Sequence, residues 1–130
     1  MAVLSARDSN ISGPSNTAIA LSTAQTGSAD STNTADRGLG TQTGGAVVIT
    51  STVGATPTVT VNIQGSVNGV AWFNIPYSLV ATPRTFVLTA ITITTAVTTS
   101  YLLQELVFWR YVKLVYSANT NVTLTATAYV

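Results

Sequence analysis

The chain of 130 residues contains no cysteine and no histidine. Without cysteine there is no disulfide framework, no thiol nucleophile and no thiolate-bound zinc. Without histidine the usual general base and the commonest metal ligand are missing. Charge is scarce as well: 7% of residues, five Lys or Arg against four Asp or Glu, for a net of +1. That leaves no electrostatic footprint for DNA or RNA. Long apolar runs are also lacking. Mean hydropathy is +0.41, yet no stretch reaches the roughly 18 apolar residues that span a bilayer. The most apolar segment, Tyr101 to Tyr116, is interrupted by Gln104, Glu105, Arg110 and Lys113. The opening MAVLSARDSN meets Arg7 and Asp8 before a signal-type apolar core can form. Most hydrolase, transferase and metalloenzyme chemistry fails on this inventory. The expectation is a non-enzymatic structural or binding protein, with no cofactor, no metal, no nucleic acid and no membrane.

What is present is threonine, 24 residues of it, with valine abundant beside it. Both are β-branched and favour strands. So few charges cannot keep a protein soluble by repulsion. Its surface is either hydrated through hydroxyls and amides or hidden in an assembly. The two N-x-[ST] sequons, at Asn10 and Asn121, are read as chance in a chain rich in Asn and Thr.

Along the chain, residues 1–16 are polar and hold Gly13-Pro14, which reads as an extended N-terminal arm. Residues 17–130 read as one domain. A first strand is expected near 17–24, then a Ser/Thr/Asn/Asp/Gly loop to Gly45. AVVITSTV from Ala46 is a strand stopped at Gly54. TVTVNIQ from Thr58 alternates cleanly, with Val59, Val61 and Ile63 on one face. Gly65-Ser66-Val67-Asn68-Gly69 is a turn, in which Asn-Gly supplies positive φ for a tight hairpin. AWFNI is the return strand. Residues 85–97 read as one strand, 101–106 as a short helix or bend, 107–116 as a strand apolar on both faces, 117–121 as a turn, and 122–130 as the closing strand. Seven to eight short strands at this spacing imply an all-β antiparallel sandwich, jelly-roll or immunoglobulin-like.

One run goes further. Thr56-Pro57 leads an alternating strand into Ile63-Gln64-Gly65-Ser66, then Asn68-Gly69 and Trp72, with Arg110-Tyr111-Val112-Lys113-Leu114 downstream. This resembles a small β-sandwich domain of tailed-bacteriophage and prophage structural proteins, over about residues 44–130. The hairpin with its downstream strand also occurs in carbohydrate-binding and discoidin-like sandwiches. A long insert, Tyr77 to Glu105, departs from the pattern and has room for an extra hairpin. The resemblance implies a virion component made in the host cytoplasm, and the size fits a head decoration, or cement, protein on the outer surface of the capsid. Its implied partners are the major capsid protein of the same phage and further copies of itself, a trimer being the natural arrangement. The arm, with Arg7 and Asp8, would order on docking.

The candidate contact residues are Arg7, Asp8, Trp72, Phe73, Tyr77, Trp109 and Tyr111. Trp72 and Phe73 are neighbours, so a strand would send one to the core and the other outward. Trp109 and Tyr111 would share one face, with Phe108, Arg110 and Val112 on the other. Under the second reading, a carbohydrate-binding or adhesin-like module, Trp72, Phe73, Tyr77 and Trp109 would be stacking platforms. Asp30 and Asp36 suit calcium by chemistry, but their spacing matches no EF-hand loop, and solvated loop acids are the expectation. Arg37 and Arg84 read as isolated charges.

Overall fold

The computed structural model describes residues 18–38, 44–104 and 107–130. The expected arm, with Arg7 and Asp8, lies outside the described residues. Among those described, every regular element is a strand: β1 (Ala18–Gln25), β2 (Ala35–Asp36), β3 (Ala46–Ser66), β4 (Trp72–Asn74), β5 (Tyr77–Leu79), β6 (Thr82–Val87), β7 (Ile91–Ile93), β8 (Thr98–Leu103) and β9 (Tyr111–Tyr129). They join into a single connected antiparallel sheet. Its main path runs β1-β9-β3-β8-β5-β6, with β2 on β9 and β4 and β7 on β3.

Two long strands organise everything else. β3 and β9 pair along their whole lengths, from Ala46↔Tyr129 to Ser66↔Tyr111. Each was expected as two strands separated by a turn, at Gly54–Pro57 and at Ser117–Asn121. The two turn-like segments instead lie opposite one another, and they become one kink shared by both strands. Between the pairs Val53↔Val122 and Thr58↔Thr120, residues 54–57 of β3 face only Asn121. Thr56, Ala118 and Asn121 take positive φ there, as bulged residues do. The Asn121 amide fastens the kink by donating to the Ala55 carbonyl, 2.7 Å. Asn119 accepts from the Val122 amide and donates to the carbonyls of Val122 and Gly27.

The alternation survives the kink. Val47, Ile49, Val59, Val61 and Ile63 of β3 point inward, as do Val112, Leu114, Tyr116, Val122, Leu124, Ala126 and Ala128 of β9. Residues from both halves of the long strands meet in one apolar core with Leu21, Ile75, Tyr101, Leu103 and Trp109. Burial of such side chains contributes about 25 cal/mol per Å² of apolar area. The core also holds hydroxyls, each satisfied. Ser22 and Tyr116 share a hydrogen bond of 2.8 Å, and Ser51 donates to the Thr95 carbonyl at 2.7 Å.

Three other expectations are corrected. Residues 85–97 are not one strand: β6 ends at Val87 and β7 begins at Ile91, so the register breaks between two different partners, β5 and β3. The segment from Tyr101 is strand rather than helix, because β8 pairs on both sides, with β3 and β5. The strand expected from Val107 begins only at Tyr111, since residues 107–110 lie outside the ladder.

Candidate functional site

The hairpin singled out in the sequence is present as β3–β4, with Gln64↔Asn74, Gly65↔Phe73 and Ser66↔Trp72 in register. Its turn differs from the tight form expected. Only Gly69 takes positive φ, at 78°. Ser66 Oγ accepts from the amides of Asn68 and Gly69, and Asn68 Oδ1 accepts from those of Val70 and Ala71. Side-chain oxygens thus replace the ladder hydrogen bonds of a two-residue turn. Gly65 is required for space. A Cβ there would lie 2.6 Å from Ile75 Cδ1 and 3.0 Å from Trp109 Cβ.

Trp109 is wholly buried, and it does not share a strand face with Tyr111 as expected. It precedes β9, so strand alternation does not apply to it, and it shares the interior with Val112 while Phe108 is exposed. The Arg37 guanidinium lies over its ring, 3.7 Å from the centroid. Arg37 also donates to the carbonyls of Trp109 and Gly44. Burial lowers the pKa of Arg37. Trp109 Nε1 is a buried donor without a hydrogen-bond partner, a state native proteins rarely tolerate. Trp109, Phe73 and Tyr77 therefore anchor the interior: Phe73 and Tyr77 pack on the core, and Tyr77 meets Tyr101 edge-on at 5.4 Å. Of the expected stacking aromatics, Trp72 remains on the outer face, and Lys113 Nζ stands 4.3 Å from its ring centroid.

The acids expected to be solvated are paired. Asp36 forms a two-point ion pair with Arg110, Nε to Oδ1 at 2.8 Å and Nη2 to Oδ2 at 3.0 Å. Asp30 accepts from Lys113 Nζ at 2.7 Å. β2 and the bridge Asp30↔Val115 hold both acids along the first half of β9, which is why they reach its basic residues. Arg110 also lies 5.0 Å from the Tyr111 ring centroid. Its hydrogen bond, with a second from the Gly38 amide, holds the Asp36 carboxyl below its ordinary pKa. A signal for these pairs was available. A loop bearing two acids and a strand bearing two bases, in a chain almost free of charge, favour each other as partners. Among the described residues no group of three acidic side chains could hold a metal ion.

Charge is therefore segregated. The described charged residues are Asp30, Asp36, Arg37, Arg84, Arg110 and Lys113. All but Arg84 gather around the start of β9. Among the described residues, the outward positions of β1, β3, β8 and β9 on the other side of the kink carry no charge. There, rows run across three or four strands: Thr125, Thr50 and Thr98 in one row, then Ala20, Thr127, Val48 and Ser100, then Ala18, Tyr129, Ala46 and Leu102. At the kink end of this face a cleft of about 480 Å³ opens beside Thr26, Thr52, Asn119 and Thr123. Its Asn119 amide is committed to backbone groups.

No protein-family model, curated protein or solved structure matches the chain.

Proposed function

We propose that this chain is a non-enzymatic structural protein of a tailed-phage virion, of the head decoration or cement type. On this reading the connected sheet closes as a β-sandwich of jelly-roll or immunoglobulin-like kind around its single core. The protein sits on the outer surface of the head as a homo-oligomer, bound to the major capsid protein. Many copies each make a modest contact, and repetition turns modest affinity into avidity.

The observation that carries the reading is the segregation of charge. The charges around β9 are spent on internal pairs and ring contacts, and what remains on the outer face is hydroxyl, methyl and aromatic surface. Such a surface suits contact with another protein. Contacts of this kind depend little on salt, because few charges take part. The carbohydrate-binding reading draws less support, since Trp109 is buried, Phe73 and Tyr77 serve the core, and Lys113 occupies Trp72.

The test is co-sedimentation of the purified protein with expanded phage heads that lack it, counting bound copies per shell subunit. Saturation at a simple fixed ratio, with a gain in the heat resistance of the heads, is the expected result. No binding to intact heads removes the decoration reading.

A further inference from the structure

We infer that the neutral outer face of β1, β9, β3 and β8 is a self-association surface, through which two copies of this chain pack face to face. The inference deepens the oligomer part of the virion reading and depends on that reading only for its biological setting.

The face is defined by register. Thr50 lies opposite Thr125 at its centre, Thr52 opposite Thr123 towards the kink, and Val48 opposite Thr127 towards the other end. Thr50 also meets Thr98 of β8 through their hydroxyls at 3.0 Å. Thr50, Thr52, Thr98 and Thr125 are exposed, and on this side of the kink no charged residue occurs among the outward positions of the four strands. The described charges other than Arg84 gather around the start of β9, on the far side of the kink.

Three features select a second copy as the occupant. First, burying a charge without a partner is costly, and a neutral face meeting itself buries none. Second, a threonine hydroxyl both donates and accepts, and its methyl is apolar, so a threonine surface complements itself. Third, the dimensions suffice. Strands spaced about 4.8 Å apart, with outward residues about 6.7 Å apart along each, give roughly 400–500 Å² of sheet on each copy. Two such faces approach the ~1,000 Å² at which specific interfaces begin. The expected complex is accordingly a weak one, with a dissociation constant on the order of micromolar. A face that binds itself is related by a two-fold axis, so the product is a dimer, in place of the trimer suggested by size and resemblance.

The experiment is light scattering coupled to size-exclusion chromatography on the full chain, from about 1 to 200 μM. Wild type is expected to move from monomer to dimer mass across this range. Thr125→Lys and Thr125→Glu place a charge at the centre of the face, on an exposed side chain, and are each expected to remain monomeric throughout. An equimolar mixture of the two is expected to restore the dimer, as a heterodimer in native mass spectrometry. Arg84→Glu, on β6 away from the face, is expected to leave the dimer unchanged. Circular dichroism reports whether each variant is folded. Should Thr125 variants misfold, Thr50→Lys and Thr50→Glu make the same test from the facing strand. A wild-type monomer at every concentration, a trimer mass, or variants that still associate would each overturn the inference. Face-dependent dimers that fail to co-sediment with heads would leave it standing and remove the virion reading alone.

Discussion

Arg110 grips Asp36 at two points across the gap between β2 and the start of β9, with both oxygens of the carboxylate engaged. The pair holds the Asp36 carboxyl below its ordinary value of 3.8. A carboxyl depressed in the folded state stabilises the fold above its unfolded pKa. That contribution is lost as pH falls through the folded pKa. Wild type should therefore lose melting temperature below about pH 4 more steeply than Asp36→Asn. The two curves should converge at still lower pH. Thermal melts from pH 2 to 6 check this, and parallel curves would show that the pair adds nothing. Because the pair is solvent-accessible, added salt should shrink the difference.

The alkaline side has the opposite sign. Burial raises the phenol pKa of Tyr77, Tyr101 and Tyr116 above the ordinary 10.0. A raised acid contributes stability that is present below its unfolded pKa and is lost as pH climbs towards its folded one. Stability should thus fall above pH 10, and absorbance titration should show three phenols ionising late or only with unfolding. Tyr116→Phe should soften this alkaline loss. At neutral pH it should cost about 1 kcal/mol, the worth of the hydrogen bond to Ser22.

Gly65→Ala should be among the most damaging small substitutions in the chain. The new methyl meets Ile75 at 2.6 Å and the Trp109 stem at 3.0 Å, both in the closed core. Overpacking of this kind costs about 1–3 kcal/mol. Gly45→Ala faces a milder approach, 3.1 Å to the rim of the Trp109 ring, and should cost less. Denaturant melts of both variants decide the order, and an equal loss would mean that Ile75 yields freely.

Ala118 holds φ at 50° within the kink. The left-handed conformation costs an L-residue roughly 1–2 kcal/mol, so Ala118→Gly should stabilise the protein, by at most about 1 kcal/mol once the added freedom of the unfolded chain is subtracted. A lower melting temperature for this variant would show that the Ala118 methyl makes contacts worth more than the strain.

The two tryptophans should answer differently to solvent. Trp109 is fully buried and Trp72 is half-buried on the outer face. With Trp72→Phe, the remaining emission should be blue-shifted and almost untouched by iodide. Strong quenching in that variant would contradict the interior position of Trp109.

Much of the strand content was legible. Residues 58–64 and 122–130 alternate in sequence and alternate in burial, because period two is the direct imprint of a half-buried strand. The β3–β4 hairpin was legible too, from Gly65 to Trp72. The continuity of β3 and β9 was not. Gly54, Pro57, Asn119 and Asn121 are turn formers, and single-strand reasoning places turns at them. Only the partner strand reveals that the two irregular segments absorb each other. The role of Trp109 was hidden for a related reason: it sits two residues before the ladder begins at Tyr111, where alternation has no meaning. The Asp36–Arg110 and Asp30–Lys113 pairs join residues far apart in sequence, so spacing does not reveal them, and the scarcity of other charge is their one sequence signal.

The placement of β9 has a consequence for the order of folding. Among the described residues β1 and β2 pair with no strand other than β9, and β3 lies against it along its full length. During synthesis β1 and β2 emerge before their partner and wait for a strand that begins only at Tyr111, whereas β3 can already pair with β4, β7 and β8. Long-range pairing of this kind makes assembly slow. Closure of the core therefore awaits β9, which supplies Val112, Leu114, Tyr116, Val122 and Leu124 to it.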